Sequence, residues 1–531
     1  MMVLALAATA ACEHKSADSS SGLGFPTRAA AVGDLPDNPM IANIPADTAY
    51  ALVSFKPFPL ELIQKFMGVS VPMWRKLLEN EKSSDPADEV IRQDVVGALD
   101  HLDVATIEAQ GFTTKARVAL YGLPYPVLRL EIADGEKIFG LIQRTAERWH
   151  KPLPPVTQRA GGRFWQIDSA EISFVLAILP KELVVAVAPK AVIDNQLAQI
   201  LGEQKPAQAL SAAQFKSIAE RDGYTGLGIG FADLARIAAL VAKQAPTPAC
   251  SEAITGLARR VPRVTTGYGE LSGNKMSFGM VVELAPDVLA EAKTLTGKLA
   301  GLDQLLAAKP APAMAMAFAV DPEHARLAGG HAAAVLADLG QRCQFGGMSD
   351  AMQNAVTALA KPLPPFVGGL HGGYAVVSKI VVGQHGPENV EGFGSVQIDN
   401  AGEVVKLAQM KLTTFDLPTD GKPHVLPAEL APIKGHAAAN DHAIGFASGP
   451  TSEADATRGL GGKLQPAPLA IGVFDYSQLG SLMPALPPGA DPTQVGLIGD
   501  MKKMFSMLGV LVMQLVIDDR GVVMWMSLDS K

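Results

Sequence analysis

Three stretches of this chain carry residue types at spacings that chemistry uses. The first is "TGLGIGFADLARIAAL", Thr225–Leu240, in which Gly226, Gly228 and Gly230 run into an amphipathic pattern. Glycines cradle a pyrophosphate when they form the turn between a strand and a helix N-terminus, where the backbone can approach the phosphate. The second is "SGNK", Ser272–Lys275, with the Ser-x-x-Lys spacing of a nucleophile and its activating lysine on one helical turn. The third is a late run of histidines, His324, His331, His371, His385, His424, His436 and His442, with Asp441 beside the last.

Each has a plainer reading. "PAPLAIGVFDYSQLGSL" repeats the first stretch later in the chain, with Ala470 in place of Gly228 and Pro468 in place of Gly226. Proline cannot adopt φ > 0 or donate an N–H, so only Gly230, as Gly472, is kept. The shared pattern is an apolar strand entering a helix capped by Asp233 or Asp475, and no cofactor is expected. Gly273-Asn274 reads as a hairpin turn, which separates Ser272 from Lys275. His436 and His442 stand six apart, which is neither a same-face helical spacing nor a strand-face spacing joined to a third nearby ligand. With no H-E-x-x-H and no Cys-x-x-Cys, no metal site is expected. Neither G-x-S-x-G nor G-x-x-x-x-G-K-[ST] occurs, and "SSDPADEV" and "IDD" read as a helix start and a turn. No catalytic residue can be named.

The 531 residues suffice for two domains. With 48% hydrophobic and 18% charged residues the chain is a folded one. Aromatics are 6%, so the core must be built of Ala, Val, Leu, Ile and Met, the 19 methionines acting as adaptable fillers. "PAMAMAFAV" and "MKKMFSMLGVLVMQLV" read as core, or as the lining of a ligand or partner groove if the sheets leave a gap. The formal charge of −8 and the absence of a basic patch exclude nucleic acid as a partner class.

The elements that position these residues alternate strands and helices. Expected strands are 50–55, 103–109, 116–122, 127–132, 163–167, 172–179 and 182–188; expected helices are 60–80, 86–101, 135–150 and 191–201. Five segments then recur in the same order. "YALVSFKPFP" matches "AMAMAFAVDP" at an offset of 263, Phe55 on Phe318. "LEIADGEKIFGLIQ" matches "VQIDNAGEVVKLAQ" at 266, and "LVVAVAP" matches "HAIGFAS" at 259. "LGIGFADL" matches "LAIGVFDY" at 242, and "YGELSGNKMSFGMVVEL" matches "VMQLVIDDRGVVMWMSL" at 244. The expected fold is α+β: two tandem related halves, 44–300 and 310–531, each a mostly antiparallel sheet with helices packed on it.

The N-terminus "MMVLALAATAAC" resembles the end of a bacterial lipoprotein signal peptide, with small residues before Cys12, the residue that would be lipidated. It departs from that pattern in having no Lys or Arg before the apolar run and Thr9 where Leu is usual. Residues 1–12 are then the signal peptide and 13–43 a flexible tether. That leaves Cys250 and Cys343 either as a disulfide pair or as two separate buried thiols. No later window is long and apolar enough to span a membrane. Together with "IPADTAY" at the start of the first strand, the chain resembles uncharacterised proteobacterial periplasmic lipoproteins that begin their folded part with a Pro-Ala-Asp-Thr segment.

The resemblance implies a place in the bacterial cell envelope, on the periplasmic side, lipid-anchored to the outer membrane. The expected function is a non-enzymatic binding or scaffold role, the partner being an envelope protein or an apolar small molecule. Two alternatives stand beside it: a hydrolase-like envelope enzyme without a linear motif, and a carrier of lipid or lipoprotein in an apolar groove.

Overall fold

The computed structural model describes residues 33–81, 85–122, 125–301, 312–383, 386–410, 416–427, 434–462, 464–481 and 492–529. Their fold is α+β, 40% helical and 31% strand. The chain divides into two units. The first holds the described residues up to Ile237 together with Arg263–Gly279; the second holds Ala238–Pro262 and the described residues from Met280 onward.

The first unit is built on strands β1 (Tyr50–Val53), β2 (Val118–Gly122), β3 (Pro126–Glu131), β4 (Thr157–Arg159), β5 (Gly162–Asp168), β6 (Ile172–Ile178), β7 (Glu182–Pro189), β8 (Ile229–Asp233), β9 (Arg263–Ser272) and β10 (Lys275–Glu283), of which Lys275–Gly279 belong to it. They pair antiparallel in the order β4-β5-β6-β7-β3-β2-β1-β8-β9-β10. Period-2 runs such as "ISFVLAI" form these strands because alternate side chains point to opposite faces, one of which is buried. Helix Gly135–Arg148 starts where Asp134 accepts hydrogen bonds from the N–H groups of Glu136 (3.0 Å) and Lys137 (3.1 Å). Its Ile138 packs among Ile132, Trp165, Ile178 and Leu183, and Phe139 stacks on Trp165 at 5.4 Å.

Asp168 ends β5. Its carboxylate accepts from Lys190 Nζ (2.6 Å), Ser173 Oγ (2.6 Å) and Gln166 Nε2 (3.1 Å). These bonds, that of Lys190 foremost, hold its pKa down to about 2 from 3.8. A carboxylate depressed on folding contributes stability above its unfolded value, and the contribution is lost as pH falls toward about 2. Asp168 should therefore titrate near pH 2 by carboxyl NMR. Asp168→Asn should flatten the pH dependence of unfolding between about 4 and 2, and a midpoint near 4 for Asp168 would refute this.

The second unit is built on β11 (Lys298–Leu299), β12 (Met314–Ala319), β13 (Leu370–Gly383), β14 (Gly386–Ile398), β15 (His424–Val425), β16 (Gly435–Ala439), β17 (Ala443–Ser448), β18 (Gln465–Pro466), β19 (Ala470–Asp475), β20 (Val510–Asp518) and β21 (Gly521–Asp529). The main sheet is antiparallel, in the order β15-β16-β17-β14-β13-β12-β19-β20-β21. β11 pairs with β18 in a separate ribbon.

β5-β6-β7-β3-β2-β1-β8-β9-β10 and β15-β16-β17-β14-β13-β12-β19-β20-β21 are the same order of connections, with β4 added at one edge of the first. All five recurring segments fall at corresponding places. Taking Gly230 with Gly472, the ladders pair Leu128 with Gly394 (394 − 128 = 266), the offset read from sequence. The other three slip. Leu52 corresponds to Met316 (264, not 263), Val185 to Phe446 (261, not 259) and Thr266 to Met513 (247, not 244). An alternating apolar run matches itself after a shift, but a one-residue shift exchanges the two faces of the strand.

Two expectations need correcting. Residues 103–109 are not a strand: Asp103 caps helix Val104–Ala109, accepting from Thr106 N–H at 2.7 Å. Seven residues are too few for periodicity to separate the two states. The packed chain also begins before Asn43, with a 3-10 turn at Pro39–Asn43 that buries Met40 and Ile41. Two apolar side chains in a Pro/Asn/Asp-rich stretch are diluted in composition but suffice to dock it.

Candidate functional site

The sequence singled out residues that the fold mostly keeps apart. Cys12 and His385 lie outside the described residues. Gly226, Gly228 and Gly230 have no positive φ. They lead into and form strand β8, and Asp233 caps the following helix through Arg236 N–H at 3.0 Å. Asp475 does the same for Ser477 at 3.0 Å. Ser272 ends β9 and Lys275 begins β10, with Lys275 paired to Glu270 at 2.9 Å. In neither stretch are the residues placed as its motif requires.

The histidines disperse. His331 meets Glu291 (2.5 Å), His371 meets Asp399 (3.0 Å) and His424 meets Asp420 (3.2 Å). Among the described residues no three His, Cys, Asp or Glu side chains are placed to hold a metal ion. His436 Nδ1 lies 2.9 Å from Ser452 Oγ, the geometry of a base beside a hydroxyl. Ser452, however, is only 6% exposed. The neighbouring carboxylate, Asp455, is bonded to Thr451 (2.6 Å) and paired with Arg458, not with the imidazole.

Cys250 and Cys343 are joined by a disulfide within the second unit. It links helix Pro248–Arg260 to the C-terminal end of helix Pro322–Arg342. Thr247 Oγ1 reinforces the joint, capping the first helix at Cys250 N–H (3.1 Å) and donating to Arg342 O (3.2 Å).

Arg129 is a functional-looking residue that no motif flags. It stands at the inward position of β3, two after Val127, and is 1% exposed. Its Nε donates to Tyr121 Oη (3.2 Å), Nη1 to Glu182 (2.5 Å) and Nη2 to Ile200 O (2.6 Å). The guanidinium thus braces β2, β3, β7 and the end of helix Lys190–Ile200. With 1% exposure and all three nitrogens engaged by protein groups, its role is to brace these elements.

The larger surface feature belongs to the second unit. Across β17-β14-β13-β12-β19-β20-β21, one row of facing residues reads Phe446, Gly394, Ala375, Met316, Gly472, Met513, Met526. The next row on the same face reads Ile444, Val396, Gly373, Phe318, Ala470, Leu515, Met524. The third reads Ser448, Gly392, Val377, Met314, Phe474, Leu511, Leu528. No charge and one hydroxyl occur in three rows. The opposite face holds a core cluster of Ala315, Ala317, Tyr374, Val376, Ile471, Val473 and Val512. At the β17 edge of the methionine face Ile444 packs against a second buried cluster, Val405, Leu417, Ala437 and Ala439. On the methionine face Met316 is 53%, Phe318 43% and Phe446 40% exposed.

Glycines shape that face. A Cβ on Gly394 would stand 2.4 Å from the Phe446 ring, one on Gly472 2.8 Å from Phe474, and one on Gly373 3.4 Å from Phe318. The rings therefore lie down over bare backbone, which flattens the surface and covers glycines that would otherwise weaken the strands.

Comparison with known proteins adds little. No family model matches the chain, and no curated protein matches it. Among solved structures, TP0453 in its crystal form III is similar at 10% identity, over 47% of this chain and 81% of that one, with a TM-score of 0.25. Such a score carries no argument about fold or function. The site must be read from its own chemistry, and that chemistry is apolar. The methionine stretches were legible in the sequence; which face of their strands is turned outward was not.

Proposed function

We propose that this chain is a lipid-anchored lipoprotein of the bacterial envelope, on the periplasmic side. Its role is non-enzymatic binding, and its working surface is the methionine face of the second unit. The occupant is an acyl chain, of a lipid or of a lipoprotein. The observation that carries this reading is the three-row face without a charge, from which Met316, Phe318 and Phe446 emerge. Its interior strands have their backbone N–H and C=O groups engaged in ladders on both sides, so an extended peptide laid there would find no partner for its own. A hydrocarbon chain needs none, and methionine side chains adapt to its shape. A disulfide between Cys250 and Cys343 suits an oxidising compartment. No helix among the described residues is long and apolar enough to cross a membrane. The matching order of connections in the two units supports a tandem duplication.

A fluorescent fatty acid, dansyl-undecanoate, tests the surface. Wild-type protein should enhance and blue-shift its emission. Met316→Asp/Phe446→Asp should weaken binding at least about ten-fold, since each buried apolar side chain contributes about 1.5–3 kcal/mol, with unchanged circular dichroism. Equal binding by both proteins would overturn the surface assignment. So would a wild-type dimer that the substitutions dissociate, since the face would then be covered by a second copy. The anchor is checked separately: labelled palmitate should enter the wild type and not Cys12→Ala.

A further inference from the structure

Three cavities among the described residues of the first unit differ in the polar side chains that line them. One, about 640 Å³, is lined by Glu136, Arg159 and Arg163. Arg163 is paired with Glu136 (2.8 Å) and lies over the Phe139 ring, and Arg159 is held by both oxygens of Glu203. A third, about 480 Å³, is lined by His150, Trp165 and a proline-rich stretch. The remaining one, about 560 Å³, lies among Pro45–Thr48 before β1, Tyr121, Gly122 and Tyr125, and the end of helix Lys190–Ile200. Gln196, Gln199, Gln204 and Gln208 line it. Among the described residues none of these four side-chain amides is bonded to another protein group.

We infer that this glutamine-lined cavity is a binding site for a neutral polyhydroxylated ligand, a short saccharide. A primary amide presents a donor and an acceptor together, which is what a hydroxyl requires of its partner. The charged groups at the cavity, Asp47 and Lys205, are one of each sign, so the site selects neither an anion nor a cation. Lys205 is further tied to Asn43 Oδ1 at 2.5 Å. The Tyr125 ring, also in the lining, supplies a flat apolar body with a polar tip, suited to the C–H face of a sugar ring. The volume lies within the roughly 300–1,000 Å³ of small-ligand sites.

The cavity is built before a ligand arrives. Its two rim segments are bonded to each other by Ala46 N–H to Gln208 O and Leu210 N–H to Ile44 O, both 2.9 Å. Tyr121 and Ile200 in its floor are the residues that Arg129 holds. The backbone of the rim is fixed by these bonds, while Gln196, Gln204 and Gln208 are exposed and Gln199 is half-buried, so their amides are open to a ligand's hydroxyls.

Saturation-transfer NMR with maltotriose and chitotriose on the full chain tests this. At least one trisaccharide should receive saturation. Gln199→Leu/Gln204→Leu should weaken it by roughly ten-fold, as expected for removing two neutral hydrogen-bonding groups, with Tm unchanged. Arg163→Gln, in the other cavity, should leave it unaltered. Absence of transfer to both sugars overturns the inference, as does binding that survives the glutamine substitutions or is lost in Arg163→Gln. Displacement by inorganic phosphate would also overturn it, because the site would then be an anion site at Lys205. The fatty-acid assay reads a different unit, so either reading can fail alone.

Discussion

Replacing Arg129 by methionine should lower the unfolding free energy of the first unit by about 3 kcal/mol or more. The substitution keeps most of the side-chain volume and removes the charge. Glu182 loses its 2.5 Å partner, and Tyr121 Oη and Ile200 O lose their donors, in a place where Arg129 itself is 1% exposed. An ion pair of this kind is no proof of net stabilisation, since desolvating the two charges offsets much of their attraction. What is costly is breaking it, because one charged group is left without its counterpart. Urea unfolding should therefore show a lower midpoint with little change in slope. Arg129→Met/Glu182→Leu should recover part of the loss. If the single substitution were neutral, the bracing role assigned to Arg129 would be wrong.

The second large effect concerns Cys250 and Cys343. The bond closes a loop across a sequence separation of 93. On the chain-entropy account, cross-linking a loop of that size restricts the unfolded ensemble by up to about 4–5 kcal/mol, with smaller values usual in practice. Here it also fastens helix Pro248–Arg260 to helix Pro322–Arg342, where Thr247 adds only two ordinary hydrogen bonds. Cys250→Ala/Cys343→Ala, or reduction of the wild type, should lower the unfolding midpoint of the second unit, and the two treatments should agree. Peptide mapping without reductant should recover one linked Cys250–Cys343 species. Free thiols at both positions would refute the bond, and an unchanged midpoint would refute its contribution.

Much of the architecture was legible because local physics writes it into short windows. The alternation in "ISFVLAI", the caps at Asp134, Asp233 and Asp475, and the turn at Gly273-Asn274 each act within a few residues. The repeated strand-to-helix segment around Gly230 and Gly472 removed the nucleotide reading, since a phosphate loop could not tolerate Pro468. Where a window was too short, as at residues 103–109, the cap at Asp103 outweighed the alternation.

The candidate sites were less legible. Arg129 sits in "PVLRLE", a lone basic residue at an inward position, which is a signal a reader could use. Its three partners come from β2, β7 and a helix end up to 71 residues away, and no spacing rule reaches that far. Gln196, Gln199, Gln204 and Gln208 look like ordinary surface polar residues until two rim segments bring them around one cavity.

By itself the sequence determined an α+β chain with a recurring order of strands and capped helices. Its expectation of methionine as core filler did not hold, since among the described residues only Met40 and Met67 of the methionines belong to the buried core and Met316 is 53% exposed. Only the tertiary structure decided which face of β12, β19, β20 and β21 is core. Both faces of these strands are apolar, Ala, Ile and Val on one and Met, Leu and Phe on the other, so alternation distinguishes two faces without saying which is covered. It also decided that Ala238–Pro262, which lies between β8 and β9 in sequence, groups with the second unit, where helix Pro248–Arg260 packs on helix Pro322–Arg342 and Cys250 bonds to Cys343. Face and partner are properties of what packs against a segment, and that information is distributed over residues far apart in the chain.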